Sequence, residues 1–84
     1  MSESDQDCLY GRVSSVRELG QKIRSKRKRL GLTLKHLAGL SGIGTRYLSE
    51  LERGKETIEM GKALGVVNSL GLELVIKPKS RLGA

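Results

Sequence analysis

"SGIGTRYLSELERGK" occupies residues 41–55. Two glycines flank one isoleucine, Thr45, Arg46 and Tyr47 follow in a row, and the stretch closes on Arg53, Gly54 and Lys55. Leu48 and Leu51 stand three apart with Glu52 beside them, so residues 45–53 read as a short helix with that side turned inward. Thr45, Arg46, Ser49 and Glu50 are left outward. Gly54 ends the helix. Just upstream, "GLSGIG" (39–44) packs three glycines into six residues, the composition of a tight reversal. Ile43 is the single apolar peg that such a turn can bury. Before the turn, Thr33 is a good N-cap for a helix over residues 34–40, which carries Leu34, Leu37, Ala38 and Leu40.

Two short helices joined by a glycine turn, here over about residues 33–53, form a helix-turn-helix. The second helix of such a unit enters the DNA major groove with its N-terminal residues against base edges. Crowded side chains before its first turn hinder that approach, and Gly42 and Gly44 keep it slim. Thr45 and Arg46 then project from the first turn. Arg46 is suited to take a guanine bidentately, and Thr45 to meet a thymine methyl or donate a hydrogen bond. Ser49 and Glu50 lie one turn further on, where Glu50 can accept from a cytosine amino group. After the helix, Arg53, Gly54 and Lys55 offer two cations and an unencumbered peptide N–H to the DNA backbone.

Outward from this centre, residues 15–30 read as a helix. Ser15 and Glu18 match a capping box. Val16, Leu19, Ile23 and Leu30 recur at helical spacing, with Gly20 small on the same side, and Gly31 supplies a left-handed stop. The last two turns hold Lys22, Arg24, Lys26, Arg27, Lys28 and Arg29. Most suit a solvated face at the negative end of the helix dipole. Arg27 lies on the apolar stripe, where a guanidinium must snorkel or find a carboxylate. His36 reads as an exposed side chain rather than a catalyst.

A fourth helix is expected over residues 58–70, capped by Thr57, with Met60, Ala63, Leu64, Val67 and Leu70 as its apolar side and Gly71 as its stop. "LELVIKP" (72–78) then alternates with period two, placing Leu72, Leu74 and Ile76 on one side of a strand that Pro78 ends. A single strand cannot satisfy its own backbone. Pairing with its copy across a two-fold axis is one solution; folding back on residues 10–13 is the other.

The 84 residues suffice for one small domain. The expected organisation is a disordered acidic tail (1–9), a helix-turn-helix domain (10–71), a dimerisation strand (72–78) and a flexible tail (79–84). With no Phe and no Trp, the core is built from Leu, Ile, Val, Ala and Met, and so lean a core is helped by a partner subunit. The net charge is +7, and the first eight residues hold three acids and no base. The rest of the chain is therefore more basic still, which points to a polyanion and to nucleic acid first. The lone Cys8 makes no intramolecular disulfide and suits a reducing cytoplasm. No apolar run approaches the roughly 20 residues of a membrane span. One His, one Cys, scattered carboxylates and no glycine-rich loop after a strand argue against an enzyme, a metal site or a cofactor.

"IRSKRKRLGLTLKHLA" and "SGIGTRYLSELERGK" resemble the Xre family of helix-turn-helix proteins, which includes the lambdoid phage repressors and Cro. The resemblance spans about residues 16–70, and "YLSELERGK" is its most specific piece. It implies an all-α, lambda-repressor-like bundle of four helices followed by the one short strand. It implies that Arg27 pairs with Glu52, that Thr33, Lys35, Arg53 and Lys55 contact phosphates, and that Gly44, Thr45, Arg46, Ser49 and Glu50 contact bases. Two positions depart from the family. Leu34 replaces a Gln that commonly bonds a phosphate, which leaves it a packing role. Gly44 replaces a residue with a side chain, so one base or cap contact is lost.

"ETIEMGKALGVVNSLGLELVIKPK" resembles the HipB-type antitoxins, in which the strand pairs with that of a second subunit. This implies a homodimeric repressor on double-stranded DNA, with a palindromic operator and recognition helices about one DNA turn, roughly 34–36 Å, apart. It also implies a HipA-like kinase toxin as partner and a bacterial, nucleoid-associated location in the cytoplasm. A stand-alone phage or chromosomal repressor is the alternative. A protein-interaction adaptor with a basic docking face is a second.

Overall fold

A computed structural model of the chain describes residues 10–79. The features expected at 1–9, Cys8 among them, and at 80–84 lie outside the described residues. Four helices follow one another: α1 (Val16–Arg29), α2 (Leu34–Ser41), α3 (Thr45–Glu52) and α4 (Met60–Ser69).

Local chemistry sets the helix starts. The Ser15 hydroxyl accepts the Glu18 amide at 3.1 Å and caps α1. The return limb of the capping box falls one residue early, because the Glu18 carboxylate accepts from the Ser14 amide. At α2 the box is complete. Thr33 Oγ1 accepts the His36 amide at 3.0 Å, and His36 Nδ1 accepts the Thr33 amide at 3.4 Å. His36 is exposed and serves the helix end.

Four inner faces meet in one core. Leu19 and Ile23 come from α1, Leu37 from α2, Leu48 and Leu51 from α3, and Ala63, Val66 and Val67 from α4, with Leu70 just beyond. α3 packs on both α1 and α2, and α2 packs on α4. Two glycines let α1 and the end of α3 approach closely. A Cβ on Gly20 would collide with the Leu51 carbonyl and stand 2.9 Å from that of Glu52. Gly54 has φ 83, and a Cβ there would lie 2.7 Å from Arg17 Cα. Any other residue at 54 would meet both backbone strain and a clash.

α4 departs from expectation. It starts at Met60, its cap is Glu59 with no side-chain cap bond, and Thr57 lies in a turn before it. Its buried stripe is Ala63, Val66, Val67 and Leu70, the i, i+3, i+4, i+7 set. Met60 and Leu64, expected inward, fall on the flank of that stripe and are exposed. Leu30 and Leu40, each closing a helix, are likewise half or more exposed.

Beyond Gly71 the described residues form neither helix nor intrachain ladder. Leu72 packs against the core. Leu74, Val75 and Ile76 are exposed, Ile76 at 99 %. Residues 72–74 share one small cavity with Tyr10, Gly11, Val13 and core side chains. No backbone hydrogen bond joins residues 10–13 to 72–74, so the fold-back pairing is not formed.

Candidate nucleic-acid interface

α3 is fixed on one side and bare on the other. Leu48 and Leu51 are fully buried, whereas Thr45 and Arg46 are exposed, the Arg46 side chain at 93 %. Gly44 is the N-cap, with extended backbone (φ −66) and no side-chain cap bond. A Cβ at Gly44 would meet nothing within 4 Å. Nothing in the described chain requires glycine there, and the space before α3 opens to the outside. Gly42 is different: it caps α2 in the left-handed region, φ 73.

One turn into α3, Ser49 and Glu50 are partly covered. Glu50 Oε2 lies 3.7 Å from Arg46 Nε and Glu50 Oε1 lies 3.4 Å from Lys55 Nζ. The Lys55 amide also donates to the Glu50 carbonyl at 3.1 Å. An exposed i,i+4 pair is worth only about 0.3–0.5 kcal/mol. It restrains Arg46 weakly, so that a stronger partner can displace it.

The candidate phosphate contacts sit at the two ends that Arg27 ties together. Its Nε and Nη2 donate to the Glu52 carboxylate at 2.7 and 3.0 Å, and its Nη1 donates to the Leu32 carbonyl at 2.8 Å. Both side chains of the pair are nearly buried, at 11 % and 6 % exposure. Leu32 immediately precedes Thr33, and Glu52 immediately precedes Arg53. One planar guanidinium therefore sets the spacing between the start of α2 and the end of α3. Lys35, Arg53 and Lys55 are exposed beside these ends. The Thr33 hydroxyl, accepting from His36, keeps its own hydrogen to donate. Leu34 is partly buried against the core, as a packing residue should be.

Tyr47 has a role that sequence reasoning missed. Its hydroxyl donates to the Glu59 carbonyl at 2.6 Å, and the Lys62 ammonium stands 5.7 Å from its ring centroid. The tie joins the first turn of α3 to the residue that caps α4. Burial first, and then the Glu59 carboxylate, push the Tyr47 phenol above its ordinary 10.0. Its spacing to Leu51 hinted at an inward ring, but a partner twelve residues away left no mark in the sequence. Among the described residues, no group of three or more His, Cys, Asp or Glu side chains is placed to hold a metal. No helix among them is long and apolar enough to cross a membrane.

Two short helices about a glycine turn, the second presenting an unshielded first turn between cationic ends, define a helix-turn-helix protein of the Xre type. The chain belongs to the helix-turn-helix family of transcriptional regulators, whose profile matches residues 23–76. It is similar to the uncharacterized HTH-type transcriptional regulator y4mF of Sinorhizobium fredii (strain NBRC 101917 / NGR234). The two are 35% identical over 71 residues, which span 83% of this chain and 93% of that one. Its fold is shared by two solved structures of HipB, a point variant of HipB in an O2 20mer complex and HipB in an O4 20mer complex. Each superposes with a TM-score of 0.78 at 20% identity over 84% of this chain, covering 99% and 100% of the HipB chain respectively.

Proposed function

We propose that the chain is a sequence-specific DNA-binding repressor that acts as a homodimer on a palindromic operator and occludes a promoter. The two-sidedness of α3 carries this reading: Leu48 and Leu51 are wholly buried while Arg46 is almost wholly exposed. A helix held that firmly by its inner face can present its outer face to a groove at little entropic cost. Thr45, Arg46, Ser49, Glu50 and the backbone of Gly44 then meet bases, while Thr33, Lys35, Arg53 and Lys55 hold phosphates. Residues 10–71 serve as the DNA-binding domain and 72–78 as the dimerisation strand. Residues 73–78 are exposed and form no ladder within the chain, with Ile76 uncovered, which supports that assignment.

The likeness to HipB in fold supports a finer reading. The chain is the antitoxin of a HipBA-like operon in the bacterial cytoplasm, restraining a HipA-like kinase and repressing the shared promoter.

Selection of duplexes from a random pool by the purified chain tests the first reading. The expected product is a palindrome with half-sites about 10–10.5 base pairs apart; a pool without an enriched motif would refute it. A chain ended after Gly71 should sediment as a monomer and bind the selected duplex poorly. If it stays dimeric, the interface lies elsewhere. The antitoxin role predicts that co-expression suppresses the toxicity of a kinase encoded beside this gene. The lack of such a neighbour would leave the stand-alone repressor.

A further inference from the structure

Glu50 stands on the outer side of α3, facing where a polyanion approaches. The other acid of that helix, Glu52, is committed to Arg27. The Glu50 carboxylate gives one oxygen to each of two cations, Oε2 toward Arg46 and Oε1 toward Lys55. We propose that Glu50 is a specificity-determining residue that restrains Arg46 and Lys55 until a matching base pair takes over its carboxylate, so that other duplexes are held weakly.

This inference deepens the duplex-binding reading above and rests on it. The Lys55 amide donates to the Glu50 carbonyl, so the loop stays beside the carboxylate even when the ammonium swings away. No duplex that reaches Arg46 and Lys55 can avoid this negative charge. Against phosphate or a carbonyl-bearing base edge the carboxylate is repelled, and it keeps its two cations from neutralising the DNA. A cytosine amino group reverses the balance, since it donates to a carboxylate. Arg46 is then released to a neighbouring guanine, and Lys55 to the phosphate rail. Glu50 thus lowers affinity for duplexes without the matching base pair, and spares or raises it for the matching one. This is discrimination by penalising the wrong partner.

Glu50→Gln keeps the shape and removes the charge. The test compares wild type and this variant on the duplex that wild type selects and on a random duplex of equal length, over a salt series. Random-duplex affinity should rise about tenfold, with the log–log salt slope steeper by about one unit as a cation is freed. Selected-duplex affinity should rise far less or fall, so the ratio of the two narrows. Thermal melts should coincide. An equal rise on both duplexes would reduce Glu50 to general charge and overturn the proposal. An equal fall would make it a prop for the loop, and no change would remove it from the interface. Failure of wild type itself to prefer any duplex would instead sink the underlying DNA-binding reading.

Discussion

Glu52→Ala probes the guanidinium that spaces the two phosphate-facing ends. The substitution removes both hydrogen bonds from the Arg27 guanidinium to the carboxylate, at 2.7 and 3.0 Å, and among the described residues leaves it the Leu32 carbonyl. The Arg27 side chain is 11 % exposed, so water cannot fully replace the lost carboxylate. Breaking one side of a buried pair costs about 3–5 kcal/mol. A domain of this size has roughly 4–13 kcal/mol in all, at about 0.05–0.15 kcal/mol per residue. The variant should therefore lose about a quarter or more of its stability and melt more than about 10 °C lower. Urea unfolding followed by circular dichroism measures this, with an unchanged slope on denaturant as the check that the endpoints are the same. The double change Arg27→Met with Glu52→Leu removes both charges and should return most of the stability. It should still bind duplex less well, because nothing then links Leu32 to the end of α3. A loss below about 1 kcal/mol in Glu52→Ala would show that the guanidinium is effectively solvated, and the spacer role would fall with it.

Arg46→Ala should cost about 1–3 kcal/mol on the selected duplex and blur one operator position; equal weakening on random DNA would make Arg46 a phosphate contact. Lys55→Ala should weaken all duplexes alike and flatten the salt slope by about one unit, and an unchanged slope would take it out of the interface. Tyr47→Phe removes the hydrogen bond to the Glu59 carbonyl and should cost about 0.5–1.5 kcal/mol at neutral pH. It should also alter the alkaline limb. The Tyr47 phenol titrates above 10.0 in the folded chain, so folding favours its protonated form; that stability is present below pH 10 and lost as pH rises through the folded value. Urea midpoints of wild type and Tyr47→Phe should therefore converge at high pH, and parallel curves would contradict the shift.

The helix-turn-helix was legible because its signals act within a few residues. Thr33 reaches only to His36, Leu48 and Leu51 share one face, and Gly54 bears a backbone that few other residues adopt. What stayed hidden depends on contacts between distant segments. Tyr47 finds its partner twelve residues on, and Lys55 meets Glu50 only because the loop turns back. In α4, apolar residues flank the core stripe on one side, so periodicity alone admitted Met60 and Leu64 and overlooked Val66. Placing Arg27 on an apolar stripe demanded a partner without naming it; the family resemblance supplied Glu52. The alternation at 72–78 was plain in the sequence, but the partner proposed for it belongs to another copy of the chain.

Amide chemical-shift mapping of the full chain during titration with the selected duplex is the most direct test. The largest changes are expected at residues 44–50, flanked by smaller ones at 33–36 and 53–55, with the amides of Leu48 and Leu51 moving only as part of their helix. Changes confined to α4 and residues 72–77, with Thr45 and Arg46 silent, would contradict this expectation.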